Sequence, residues 1–245
     1  MNSILNVSRD NEIGLVRLNR PEKDNALSNA LRDAIETAFN DFAKDPTVKG
    51  IVLSGEGTNF CAGFDLEEVI ATKLQSFNHR ALEYHAAVYL IEKPVVVAIH
   101  GFALAGGMDL ALCGDYIVTS DKTMLGHPEI RFGAPALVTS LARKIGPARA
   151  LTLILDGGLI RAKDALAMGI TNEITDQASL MKNAIAAARR LSRWAPEATA
   201  IMKRCANELF VGDVRTSLER EFKLFAANSN PDALLAAVKE YYKRL

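Results

Sequence analysis

An α/β fold is what this sequence predicts, and three observations predict it. Gly50-Ile-Val-Leu-Ser54 and Pro94-Val-Val-Val-Ala-Ile99 are continuous apolar runs, the pattern of strands covered on both faces. Each run leads through a turn of glycines and small residues into a helix start, at Asp65 and at Met108. Strand and helix patterns then alternate along the chain, which argues for one α/β unit and against two unrelated domains. With 245 residues, 49% of them hydrophobic, the chain is long enough to bury a single large core.

In chain order, Ser3–Ser8 and Ile13–Leu18 read as strands joined by the turn Arg9-Asp-Asn-Glu, a hairpin. The polar loop Asn19–Asn25 follows. Ser28 then caps a helix whose apolar positions Leu31, Ile35, Ala38, Phe39 and Phe42 recur at helical spacing. After the strand at Gly50, a helix is expected from Asp65 to about Lys73. The stretch Ile70–Ile91 is helix-compatible with an interruption at Gln75–His79, and it sets Tyr84, His85, Val88 and Tyr89 on helical spacing. Beyond the strand at Pro94 come a short helix Met108–Leu112, strands Tyr116–Thr119 and Met124–Leu125, helices Leu141–Leu155 and Ala162–Met168, and a turn into a strand at Gly169–Ile174. From Gln177 four amphipathic helices are expected, with Pro196 and Pro231 at helix starts and a break at Gly212.

The two turns carry the chemistry. Glycines between a strand and a helix let backbone approach a ligand and leave the first helical N–H groups unpaired, a receptor for negative charge developing on an oxygen. Thr58-Asn-Phe-Cys-Ala-Gly-Phe-Asp-Leu66 and Gly101-Phe-Ala-Leu-Ala-Gly-Gly-Met-Asp109 share this design, and two such turns can aim two N–H groups at one oxygen. Asp109, at the head of its helix among Met108, Leu110, Ala111 and Leu112, has a helix terminus that favours its charge and apolar neighbours that oppose it. Taken alone, Asp109 reads as an ordinary helix-terminal carboxylate and Lys23 as a solvated lysine.

Asn59–Leu66 and Gly101–Asp109 resemble the two signature segments of the enoyl-CoA hydratase/isomerase (crotonase) family. The likeness extends through Asn19–Leu27, His127-Pro-Glu129 and Leu155–Ile170, in the family's order, over about residues 10 to 175. It implies a spiral of ββα units of the ClpP/crotonase type over residues 1–190, holding an acyl-CoA site. A helical trimerisation region would follow over 191–245, as part of one functional domain. It implies Asp109 and Glu129 as catalytic acids, twenty residues apart as in the family's hydratases, and main-chain N–H groups of Phe64 and Gly106 as the oxyanion hole. Lys23, Ala26, Leu27, Ala62, Gly63, Asp65, Leu66 and Gly107 become candidates for contacting the substrate and its coenzyme A. The partner implied is an acyl-CoA thioester, with coenzyme A as part of the substrate and no separate cofactor, and the assembly a homotrimer or homohexamer.

The resemblance leads to an enzyme that adds water to a 2-trans-enoyl-CoA, with double-bond isomerisation, or hydrolysis of an acyl-CoA or β-diketone, as alternatives within the family. A catalytically silent binding protein remains the reading from another class. Several positions depart from the family pattern. Glu67 stands where a lysine lies near the coenzyme, Phe64 is larger than the usual side chain, and Asp109 is one methylene shorter than the usual glutamate. Phe132–Ser140 replaces a glycine-rich turn, and Leu137 occupies the place of a dienoyl-CoA isomerase's extra aspartate. His127 reads as a structural histidine within hydrogen-bonding reach of the site.

Composition excludes other classes. Twenty-nine basic residues balance twenty-nine acidic ones, without the basic stripe of a nucleic-acid binder. No apolar run has the length of a membrane span and Met1-Asn-Ser-Ile-Leu5 lacks an export signal's basic start, so a cytoplasmic protein is expected. Cys61, Cys113 and Cys205 are odd in number and widely spaced, which suggests neither a disulfide framework nor a metal site, and no histidine is paired by sequence with Cys61 to make it a nucleophile.

Overall fold

The computed structural model describes residues 3–71, 74–208 and 214–228, together with 232, 235, 236, 239 and 240. The hairpin of β1 (Leu5–Asp10) and β2 (Ile13–Leu18) opens the fold, with Leu5 opposite Leu18 and Asp10 opposite Ile13. Its first strand lies two residues further along than the apolar pattern suggests, because Asn11 takes a left-handed conformation (φ 54°) and places the turn there.

Beside β2 run β3 (Gly50–Gly55), β4 (Val95–Ile99), β6 (Tyr116–Ser120) and β9 (Glu173–Thr175), all parallel, giving the sheet order β1-β2-β3-β4-β6-β9. Alternation along each strand explains the unbroken apolar runs. Ile51, Leu53, Val95, Val97 and Ile99 belong to the main core, while Val52, Val96, Ala98 and Val118 pack against Leu180, Ala184, Ala187 and Ala188 of α8 (Leu180–Leu191).

A second sheet, β5-β7-β8, holds β5 (Phe102–Leu104), β7 (Met124–Gly126) and β8 (Leu159–Arg161). The chain leaves β4 to make β5 and then α4 (Gly106–Leu112), and leaves β6 to make β7 and then a 3-10 turn at Pro128–Phe132. Since β4 pairs with β6 and β5 with β7, each unit moves both sheets on by one strand, the expected spiral. The unit before them follows the same path, for Cys61, beyond β3, bridges Ala103 of β5 in parallel.

The Ser28 hydroxyl accepts the Leu31 N–H at 3.2 Å and caps α1 (Asn29–Lys44), whose predicted apolar stripe is buried. The expected interruption at Gln75–His79 is absent. Helix is described over α2 (Leu66–Ala71) and α3 (Leu74–Leu90), with residues 72 and 73 outside the described residues, and α3 runs straight through Gln75–His79, which contains no glycine or proline to stop it. The single helix expected at Leu141–Leu155 is two, α5 (Val138–Ile145) and α6 (Pro147–Asp156), because Gly146, at φ 83° and ψ 155°, a conformation open to glycine, ends one and Pro147 begins the next. Next is α7 (Ala162–Met168), and Pro196 starts α9 (Pro196–Glu208) as expected, ahead of α10 (Val214–Asn228), which packs on α3 and α5. The Gly212 break, the Pro231 start and most of Val238–Arg244 lie outside the described residues. Among the described residues no helix is long and apolar enough to cross a membrane.

Candidate active site

Glycine is what brings the two turns into contact. A Cβ on Gly63 (φ 105°) would sit 3.0 Å from both the Ala105 Cβ and the Leu104 carbonyl oxygen, and 3.6 Å from the Gly106 nitrogen. One on Gly107 would lie 2.5 Å from the Cys61 carbonyl oxygen, and one on Gly106 would meet the Phe64 ring at 2.7 Å. Phe64 and Gly106, far apart in sequence, are therefore neighbours. The Gly106 N–H heads α4 and has no acceptor among the described residues. Ala105 before it has φ 50° and ψ −128°, a conformation that side-chain-bearing residues rarely adopt. The Ala105 N–H donates to the Gly126 carbonyl at 2.9 Å, and its own carbonyl accepts the Asp109 N–H at 3.0 Å, so the strain is fixed from both sides.

The two acids come together with a histidine between them. Asp109, His127 and Glu129 are 2%, 2% and 7% exposed. His127 Nδ1 lies 3.0 Å from Glu129 Oε1, which accepts its hydrogen bond, while Nε2 stands 3.7 Å from Asp109 Oδ1, beyond hydrogen-bonding distance. Asp109 Oδ1, His127 Nε2 and Glu129 Oε2 are all buried without a hydrogen-bond partner among the described residues. Burial pushes the Asp109 carboxyl up to about 8, with the Glu129 and Glu221 charges acting in the same direction and His127 against them. Burial opposes a charge on His127 too, but the carboxylates of Asp109 and Glu129 outweigh it and hold the imidazole above its ordinary range. Glu129 sits on the 3-10 turn that Pro128 begins and the left-handed Gly133 closes.

The ligand atoms of these three residues lie within 4.8 Å of one another, a set of donors that sequence spacing did not suggest. One imidazole and two carboxylates suit a divalent cation, and the same atoms suit the transfer of a proton. Cys61 is fully buried and its thiol is pushed up to about 12 by burial, which removes it as a nucleophile.

The remaining predicted residues surround the first turn. All four backbone groups of Ala26 and Leu27 are used within the protein. The Ala26 N–H donates to the Lys23 carbonyl, the Ala26 carbonyl accepts from Arg20, the Leu27 N–H donates to the Gly63 carbonyl and the Leu27 carbonyl accepts the Asp65 N–H. These residues hold the turn in place. The Asp65 carboxylate pairs with Arg20 at 3.1 Å and caps α2 through the Glu67 N–H. Ala62 is exposed and Leu66 half-buried at the rim, where Lys23 and Glu67 form an exposed ion pair at 3.1 Å.

Tyr84 stacks edge-on to Phe64 with ring centroids 6.4 Å apart, and its hydroxyl lies 3.2 Å from His85 Nε2. Burial pushes His85 down to about 4, so it is neutral and structural, and His79 is exposed.

Two residues that the sequence reading did not single out belong to this region. Arg32 is buried with its guanidinium 5.4 Å from the Phe64 ring centroid, and Glu221 of α10 accepts the Thr139 N–H at 2.9 Å. A charged residue on the buried face of an amphipathic helix is the signal that marks both. Arg32 shares a stripe with Ile35 and Phe39, and Glu221 adjoins the buried Leu218 and Phe222. A groove of about 650 Å³ between α1, α3 and α9, lined by Glu36, Glu83, Lys93 and Glu197 among others, contains none of the predicted site residues.

The chain has counterparts among known proteins. A family-wide sequence model described as enoyl-CoA hydratase/isomerase matches residues 8–244. The mitochondrial enoyl-CoA hydratase of Pongo abelii is 31% identical over 240 residues, which span 95% of this chain and 83% of that protein. Among solved structures, an enoyl-CoA hydratase from Bacillus anthracis superposes with a TM-score of 0.80 at 26% identity, over 93% of this chain and 92% of that one. One from Mycobacterium avium subsp. paratuberculosis reaches 0.85 at 22% identity over 99% and 96%, a likeness of fold.

Proposed function

From the premise that the chain belongs to the enoyl-CoA hydratase/isomerase family, we propose that it hydrates a 2-trans-enoyl-CoA. The observation that carries this reading is the meeting of the buried Asp109 and Glu129 side chains, Asp109 being on the helix that Gly106 heads at the junction of the two glycine turns. Addition of water at the β-carbon moves negative charge onto the thioester oxygen, where the N–H groups of Phe64 and Gly106 act as donors. Glu129 takes a proton from the attacking water as the new carbon–oxygen bond forms. Asp109, whose carboxyl keeps its proton to about pH 8, delivers that proton to the α-carbon. The product is a 3-hydroxyacyl-CoA. His127, in contact with Glu129 and close to Asp109, returns the proton from the first acid to the second and resets the site.

The same imidazole favours a second reading. A relay joining two carboxyls is also the device that shifts a double bond, by moving a proton between carbons of a 3-enoyl-CoA. Hydrolysis of an acyl-CoA or β-diketone would use Glu129 to activate water in the same place.

In this proposal the coenzyme lies along the rim formed by Lys23, Ala62 and Leu66, with Lys23 facing its phosphates. Leu151 and Leu155, one turn apart on α6, and Ile201 and Met202 on α9 are exposed apolar side chains. They supply contact surface for a homotrimer or homohexamer. A cytoplasmic location belongs to the same proposal.

The test is incubation with a short 2-trans-enoyl-CoA in oxygen-18 water and mass spectrometry of the products, for the intact chain and for Glu129→Gln. Labelled 3-hydroxyacyl-CoA is expected, with a rate about 10²- to 10⁴-fold lower in the variant. A thioester returned unlabelled by the intact chain ends the hydration reading, and conversion of 3-enoyl-CoA would then establish the isomerase.

A further inference from the structure

We propose that Asp109, His127 and Glu129 form a binding site for a divalent transition-metal ion such as zinc, and that an ion held there shuts the reaction down. The site stands on geometry alone, and only its effect on turnover rests on the hydration reading. The Asp109 and His127 side chains are 3% and 2% exposed, and that of Glu129 is 10% exposed. Each presents a buried polar atom with no hydrogen-bond partner among the described residues: Asp109 Oδ1, His127 Nε2 and Glu129 Oε2. Three such atoms in one cluster require a cause, because buried polar groups in folded proteins are nearly always paired.

The gap between two of them has the dimensions of an ion. His127 Nε2 stands 3.7 Å from Asp109 Oδ1. A water bridging that gap with bonds of about 2.8 Å would have to fold them to about 80°. A zinc ion with bonds of about 2.1 Å spans it at about 120°, close to the angle of a tetrahedral site. His127 is also oriented for the task. Its Nδ1 lies 3.0 Å from Glu129 Oε1, the carboxylate contact that in metal sites fixes the ring and leaves Nε2 as the ligand. Glu129 Oε2 remains available as a third donor. Donor atoms of the three residues lie within 4.8 Å of one another. Opposite ligands of such an ion are at most about 4.4 Å apart, so shifts of about half an ångström or less complete the set.

An imidazole among carboxylates favours zinc or cobalt over magnesium and calcium, which take oxygen ligands. The other three histidines compete little. His85 has both ring nitrogens in hydrogen bonds, His100 Nε2 lies 2.9 Å from the Gly57 carbonyl, and His79 is exposed. An ion at Asp109 and Glu129 occupies the oxygens that the hydration reading assigns to proton transfer, so the loaded protein does not hydrate.

The test uses the full chain with Cys205→Ser, which removes an exposed thiol, after treatment with a chelator. Equilibrium dialysis against micromolar Zn²⁺ gives the stoichiometry, and titration with Co²⁺ gives the visible bands of the bound ion. One zinc per chain and the intense bands of four-coordinate cobalt are expected. Glu129→Gln, which keeps an acceptor for the imidazole, should weaken binding about 10- to 100-fold, and Asp109→Asn and His127→Gln should weaken it further. Asp109→Asn serves alone if His127→Gln does not fold, and His79→Gln should bind as the parent does. No zinc retained overturns the proposal. Zinc retained equally by Asp109→Asn is an adventitious ion only and overturns it too. Hydration at one rate with and without bound zinc removes the shut-down. A protein that hydrates in neither form overturns the hydration reading, while the dialysis still decides the site.

Discussion

Asp65 and Asp109 close two turns of the same design, yet their carboxylates lead opposite lives. Asp65 has a partner for each oxygen, the Arg20 guanidinium at 3.1 Å and the Glu67 N–H at 3.2 Å. Asp109 is buried more deeply, has an oxygen without a partner, and stands beside two more carboxyls and an imidazole beyond hydrogen-bonding distance. The first turn uses its aspartate to hold loop, turn and α2 together. The second withholds a partner from its aspartate and so keeps a proton available near pH 7. Matching sequence patterns thus give two acids in opposite surroundings, and the difference is made outside both patterns: by the Arg20 guanidinium in one case, by burial and then the charge of Glu129 in the other.

Neutralising each aspartate in turn breaks this comparison most directly. Asp65→Asn leaves Arg20 largely buried without its counter-charge, and a loss of about 2–3 kcal/mol in denaturant unfolding is expected. A loss below about 0.5 kcal/mol would mean that the pair is a surface contact in effect.

Asp109→Asn should have the opposite sign. The Asp109 carboxyl is raised from its ordinary 3.8 to about 8 in the folded state. Its contribution to stability is therefore intact below about pH 4 and is lost as the pH rises towards 8. Removing the titrating group should leave stability unchanged at pH 3.5 and increase it by about 2 kcal/mol at pH 8, at the expense of activity. Thermal unfolding across that range checks both the sign and the window, and a variant destabilised at pH 8 would show that the Asp109 site is not electrostatically strained.

The smallest effect concerns the rim beside the first turn. Glu67→Lys replaces the exposed pair with Lys23 by two positive charges, which should lower KM for an acyl-CoA about two- to fivefold at low salt, while kcat stays constant. A change confined to kcat would place α2 in the chemistry and dissolve the division of labour between the turns.

The sequence made the division into two turns legible, along with the acids and the strands that deliver them, because each depends on local pattern: apolar runs, glycines and a fixed order of motifs. It did not reveal the spiral's repeat, since β3, β4 and β6 share a path and pairing, not residues. His127 appeared structural because its two carboxylate neighbours become neighbours only on folding. Arg32 and Glu221 passed as the charged positions of amphipathic helices, and only packing shows that they face inward. The helix division at Gly146 was available from Gly146-Pro147, and the strength of the flanking apolar pattern hid it.

Ala105 bears on how the site is organised. A residue in its backbone conformation costs on the order of 1–3 kcal/mol, and the hydrogen bonds to Gly126 and Asp109 hold it there. The peptide group that follows, with the Gly106 N–H, cannot relax towards a commoner geometry unless those bonds break. Its orientation is therefore set by the fold. The cost of holding that N–H in place is thus borne by the stability of the fold.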